Sequence, residues 1–161
     1  MKKTLKTIQR STHIIHLYNR GNRKEKIFLC NKDYLFFKNL LHYHFQINNF
    51  DIISYCLMPN HYHILVRQKG EVAIATVMQK IGSRYTKYFN RRYGFVGHLF
   101  QSTYNCKIIT TQDQLRIVYK YIEDNIAVTG SSNKFGYLFT NEFLFNFYVL
   151  NFVESDTPIE Y

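Results

Sequence analysis

Two apolar runs of strand length, residues 50–57 and 61–67, stand on either side of Pro59-Asn60. Pro-Asn turns a chain and proline has no place inside a ladder, so the second run returns antiparallel to the first. The returning arm opens with His61-Tyr62-His63. Side chains alternate faces along a strand, so the two imidazoles point one way and Tyr62 the other. Lying about 7 Å apart along one face of a rigid strand, they form a two-toothed metal clamp that needs one further ligand.

The flanking sequence surrounds this hairpin with β-α-β units. Residues 13–18 read as a first strand, ending at the basic turn Asn19-Arg20-Gly21-Asn22-Arg23-Lys24. A helix is expected from Asn31, as cap, to about residue 47, with Tyr34, Phe37, Leu40, Leu41 and Phe45 near helical spacing. The longest helical stretch is 71–92, its apolar side Val72, Ala75, Val77, Met78, Ile81 and Tyr85, and Tyr93-Gly94 ends it. A fourth strand lies within 99–109, and a last firm helix follows over 111–127. The pattern predicts an α+β, ferredoxin-like (RRM-like) fold: a four-stranded antiparallel sheet with helices packed on one face. The chain is expected to form a single domain over 1–161, with its core at about 12–128. The tail from residue 129 carries no firm assignment beyond an aromatic helix near 141–151.

Charge narrows the partner. Lys and Arg number 21 against 11 Asp and Glu, a surplus of ten on 161 residues. Such a surface suits an anionic partner, most simply nucleic acid, whose condensed counterions are released on binding. Cys30, Cys56 and Cys106 are odd in number and lack a CxxC pair, which points to reduced thiols and a cytoplasmic, nucleoid-associated setting. The basic start, Met1-Lys2-Lys3, is followed by no unbroken apolar segment, so no signal peptide is expected. The tract 143–153 is too short to span a bilayer.

The last firm helix carries a second constellation. Leu115, Val118, Ile122 and Ile126 form its inward side, three and four apart. At about 100° per residue, Asn125 falls inside that arc and Tyr121 on its shoulder, roughly 40° away. Both therefore face the sheet, one turn apart. An unpaired buried amide costs about 1–3 kcal/mol, and a cation held by two histidines would satisfy it. Two imidazoles and an amide oxygen suit Mg²⁺ or Mn²⁺ in a site left open to phosphate oxygens, better than Zn²⁺, which normally brings an anionic or thiolate ligand. Tyr119, two positions away on another helical face, is the rival phenol.

His61-Tyr62-His63, followed about sixty positions later by Tyr121-Ile122-Glu123-Asp124-Asn125, resembles the HUH-class single-tyrosine transposases, and most of all their repeat-associated branch. Asn19-Arg20-Gly21-Asn22-Arg23, Arg84-Tyr85-Thr86-Lys87-Tyr88-Phe89-Asn90 and Gly97-His98-Leu99-Phe100-Gln101 extend the likeness over roughly residues 12–128. The resemblance implies a metal-dependent transposase and endonuclease that acts on single-stranded DNA. Such an enzyme cuts and rejoins next to imperfect hairpins through a covalent 5′-phosphotyrosine. It implies metal binding by His61, His63 and Asn125, with Tyr121 as nucleophile on the last main helix. Monomer and homodimer both remain open on these grounds, and no membrane partner is implied.

Arg20, Asn22, Arg23 and Lys24 beside Gly21 form a turn whose backbone can approach phosphate. Arg84, Lys87 and Arg91 recur at i, i+3 and i+7 as one basic stripe flanked by Arg92, the second candidate DNA contact. Two other readings stand beside the transposase: an HUH-type replication initiator or relaxase-like nuclease, and a non-catalytic nucleic-acid-binding module. The last leaves both the histidine pair and the Tyr121/Asn125 pair without a task.

Overall fold

A computed structural model describes residues 13–127 and 136–152. The readings of the amino terminus and of 129–135 and 153–161 lie outside the described residues. The strands are β1 (Ile14–Arg20), β2 (Phe50–Met58), β3 (His61–Gln68), β4 (Asn105–Ile109) and β5 (Tyr137–Thr140). The helices are α1 (Asn31–Ile47), α2 (Ile74–Tyr93), α3 (Gln112–Ala127) and α4 (Glu142–Leu150), with a short 3₁₀ turn at Asn22–Lys24. All five strands pair antiparallel in the order β4-β1-β3-β2-β5. The α+β class is the expected one. The sheet has five strands rather than four, because Tyr137–Thr140 of the tail adds to the free edge of β2.

The helices cover both faces, not one. Ile15, Leu17, Tyr62, Ile64 and Val66 pack beneath α1 and α2. Ile14, Leu65 and Ile109 point the other way and meet Leu115, Tyr119 and Ile122 of α3 and Val149 of α4. Strand alternation thus divides the apolar residues between two cores, each with its own helix pair. A bulge in β2, where the register shifts between Ile52 and Ser54, switches which positions face α1 and α2, from Phe50 and Ile52 before it to Tyr55 and Leu57 after it.

Helix α1 occupies the predicted residues, but Cys30, not Asn31, is its cap. Asp33 provides the capping acceptor, taking bonds from the amides of Leu29 (2.7 Å) and Cys30 (3.0 Å). Helix α2 starts at Ile74, so Glu71 and Val72 precede it, and the Val72 carbonyl instead accepts from Gln68. Gly94, at φ +70°, closes α2 in the left-handed conformation. Helix α4 follows the aromatic stretch foreseen in the tail, capped by Asn141, whose side chain accepts from the Leu144 amide.

Position of the histidines follows from this architecture. β3 lies between β1 and β2, with Arg20 opposite His61 and Tyr18 opposite His63. The Pro59-Asn60 turn is two residues long, pairing Met58 with His61. Beyond the end of β1 the segment 99–103 is tied in by Asn22 N to Leu99 O (2.8 Å), Gln101 N to Arg20 O (2.9 Å), and the Asn19 amide to Ser102 and Thr103 carbonyls.

Candidate active site

His61 and His63 share the sheet face that α3 covers, since Tyr62 and Ile64 belong to the opposite core. Their ring centroids lie 5.4 Å apart. Helix α3 brings Tyr121 over them: its phenol oxygen is 3.5 Å from His63 Nε2, and the two rings meet edge to face at 5.0 Å. One turn further on, the Asn125 amide nitrogen donates to the Tyr121 carbonyl at 2.8 Å. That bond directs the amide oxygen elsewhere, and the Asn125 side chain meets His61 in a contact that favours the protonated imidazole. The four groups named from sequence therefore stand together in one chain.

The outer nitrogens of both rings are occupied. His61 Nδ1 lies 2.8 Å from Asn60 Oδ1, and His63 Nδ1 lies 3.0 Å from His16 Nε2. Nε2 of His63 is thereby left toward Tyr121, and at His61 the amide oxygen of Asn125 faces the remaining ring edge. Burial pushes His63 down to about 3, helped by the nearby His16 and His61 rings, and His16 down to about 4, helped by Lys107. Burial also lowers His61, against the Asn125 contact that raises it. The rings are neutral at pH 7, the form that ligates metal. Neutral imidazole nitrogens beside an amide side chain are donors of a kind that would suit a divalent cation. Among the described residues no group of three or more His, Cys, Asp and Glu side chains is arranged for a metal.

Tyr119 differs from Tyr121 in its surroundings. It is buried, stacks on Phe145 at 3.8 Å, and burial raises its pKa. Tyr121 is 49% exposed, so a substrate can reach it. Lys120, beside Tyr121 in the chain, is paired with Asp124 at 2.8 Å.

The basic residues fall into two places. Arg20 emerges on the histidine face opposite His61, and its guanidinium donates to Gln101. Asn22, Arg23 and Lys24 form the adjoining 3₁₀ turn; Arg23 and Lys24 have φ of +53° and +62°, left-handed values uncommon outside glycine. Clefts of about 510 and 650 Å³ lie on either side of Asn22, His98 and Leu99. Arg84, Lys87 and Arg91 are exposed on α2, across the sheet from the histidines, and are not gathered with them. Arg92 lies 3.7 Å from the buried Asp33 carboxylate and serves packing there. Sequence reasoning missed His16 and Asn60; it is the β1–β3 register that sets His16 on the histidine face.

The profile of the IS200-like transposase family matches residues 9–125. The chain belongs to that family. Among solved structures it is similar to a REP-associated tyrosine transposase bound to a REP hairpin, at 17% identity and TM-score 0.58, over 74% of this chain and 68% of that one. It is also similar to a candidate transposase from Deinococcus radiodurans, at 15% identity and TM-score 0.51, over 77% and 97% of the two chains. At these identities the likeness is one of fold. No curated protein matches the chain. Among the described residues of this transposase no helix is long and apolar enough to cross a membrane.

Proposed function

We propose that this IS200-like transposase cleaves and rejoins single-stranded DNA beside imperfect hairpins through a covalent tyrosine intermediate, in the cytoplasm and on the nucleoid. The observation that carries the reading is the meeting of Tyr121 and Asn125 on α3 with His61 and His63 on β3. The Tyr121 oxygen attacks the scissile phosphorus as the P–O3′ bond breaks. The phenolic proton passes to solvent, which reaches the half-exposed ring. The departing 3′ oxygen takes a proton from solvent, and the 5′ phosphate stays on tyrosine. Attack by a 3′ hydroxyl reverses the step, and the phosphotyrosyl bond conserves the energy of the original linkage. His61, His63 and Asn125 would hold Mg²⁺ or Mn²⁺, which when bound supplies Lewis-acid polarisation of the phosphate.

Arg20, on the same face, would hold a phosphate oxygen, with Asn22, Arg23 and Lys24 continuing the basic path. The stripe Arg84, Lys87 and Arg91, with Arg92 beside it, lies far from the cut and would serve flanking DNA at most. The initiator-like reading shares the adduct but lacks the family match, and the binding-module reading predicts no adduct.

The test is a hairpin oligonucleotide with single-stranded flanks, incubated with Mn²⁺ and resolved on a denaturing gel. Wild type and Tyr119→Phe give a protein–DNA adduct, whereas Tyr121→Phe binds the DNA and gives none. An adduct that survives in Tyr121→Phe overturns the assignment.

A further inference from the structure

Every neutral imidazole carries one proton on one of two nitrogens, and only the bare nitrogen binds a metal. Which nitrogen is bare at His61 and His63 is decided by neighbours outside the donor set. We propose that Asn60 and His16 are positioning residues that hold both histidines in the Nδ1–H tautomer, so that both Nε2 lone pairs face α3. This inference rests on the reading of His61, His63 and Asn125 as metal ligands.

At His61 the geometry settles the direction. The Asn60 amide nitrogen donates to the Lys24 carbonyl at 3.3 Å, so its oxygen is the atom 2.8 Å from His61 Nδ1. A carboxamide oxygen only accepts, and Nδ1 must therefore carry the proton. The turn residue Asn60 thus does two tasks: it reverses the chain, and it clamps the first histidine from behind.

At His63 the partner is another imidazole. His16 is 7% exposed, and its Nε2 lies 3.0 Å from His63 Nδ1. One ring must donate and the other accept, so the two tautomers are locked together. If His16 donates, the neutral His63 proton moves to Nε2, where it faces Tyr121 and blocks the metal. If His16 accepts, Nε2 is bare, as at His61. The ligating state therefore requires His16 as acceptor, with its own proton on Nδ1. β1 runs beside β3 with His16 opposite Leu65, two positions from the Tyr18–His63 pair and on the same face. From that position its side chain reaches diagonally to His63, the two rings stacked at 5.2 Å.

Outer-shell partners of this kind are worth about 10–100-fold in metal affinity. Glutamine at position 16 places an amide oxygen the same number of bonds from Cβ as Nε2, so it keeps the acceptor; leucine removes it. The full chain without DNA is titrated with Mn²⁺, reading free ion by electron paramagnetic resonance, for wild type, His16→Gln, His16→Leu and His61→Ala. His16→Leu is expected to lose about 10–100-fold in affinity, while His16→Gln stays close to wild type. In the metal-free wild type, nitrogen-15 NMR is expected to find His61 and His63 protonated at Nδ1.

Wild-type affinity in a folded His16→Leu, or a His63 proton on Nε2, overturns the inference while leaving the proposed function standing. Should His16→Leu not fold, the nitrogen spectra of wild type and His16→Gln decide the matter alone. Should wild type bind Mn²⁺ no better than His61→Ala, the proposed metal chemistry falls, and the tautomer spectra still uphold or overturn the assignment of Asn60 and His16.

Discussion

Replacing Asp33 by alanine separates what holds this fold from what acts on DNA. The carboxylate is fully buried where α1 begins and α2 ends. One oxygen accepts from the Leu29 amide (2.7 Å), the Cys30 amide (3.0 Å) and the Tyr93 hydroxyl (2.8 Å); the other accepts from the Tyr88 hydroxyl (3.0 Å). Each bond to a charged acceptor is worth about 1.5–3 kcal/mol. The alanine variant also avoids burying a charge, so the contributions do not simply add. Breaking a buried charged network by removing one member costs about 3–5 kcal/mol. At about 2–4 °C per kcal/mol for a chain of this size, the melting temperature should fall by roughly 6–20 °C. Arg92→Ala should shift the melting temperature far less than Asp33→Ala, because the guanidinium is 37% exposed and 3.7 Å away. Thermal and urea unfolding followed by circular dichroism measure both. The network lies across the sheet from Tyr121, so Asp33→Ala should still form the DNA adduct at temperatures where it is folded. A fall of less than about 3 °C would refute the account of Asp33 as the tie between α1 and α2.

A methyl group on Gly21 would meet the Glu25 carbonyl oxygen at 2.0 Å and Ile27 at 3.0 Å. Gly21→Ala must therefore displace the Arg20–Lys24 turn at a cost of about 1–3 kcal/mol, with weaker hairpin-DNA binding in a filter or anisotropy assay; unchanged affinity would count against the turn as a DNA contact. Stability of the metal-free protein should fall with acid. His63 and His16 titrate at about 3 and about 4 when folded, against 6.5 in the unfolded chain. Below pH 6.5 the unfolded state binds protons that the folded state refuses, so their stabilisation is full above that pH and is lost as the pH falls toward 4. Urea midpoints across this range should slope less steeply for His63→Gln than for wild type, and parallel slopes would exclude the buried imidazole as the source.

Much of this was legible in the residues. The hairpin around Pro59-Asn60, the span of α1 and the aromatic α4 follow from turn chemistry and helical spacing, which are local. What periodicity cannot state is which side of the sheet a helix chooses. Leu115, Ile122 and Ile126 say that α3 has an inward side, but only the pairing of β1, β3 and β4 divides Ile14 and Leu65 from Ile15 and Ile64. Strand β5 is four residues long, too short for alternation to stand out. At the site, the four central groups were found because their spacing within β3 and α3 is local. Their supports were not: His16 reaches His63 from 47 residues away, and no spacing rule marks such a pair. Cys30 as the α1 cap was masked by Asn31, a better cap by preference, because Asp33 supplies the acceptor from inside the helix.

The two-residue turn before His61 leaves no slack between β2 and β3. A single inserted or deleted residue in that arm would exchange the faces of every side chain along it. Tyr62 would then be carried beneath Tyr121, and both imidazoles would be driven into the core under α1 and α2. Length changes in this hairpin should consequently be all-or-none in effect: variants that fold in the original pairing keep their chemistry, and those that slip by one lose catalysis and packing together.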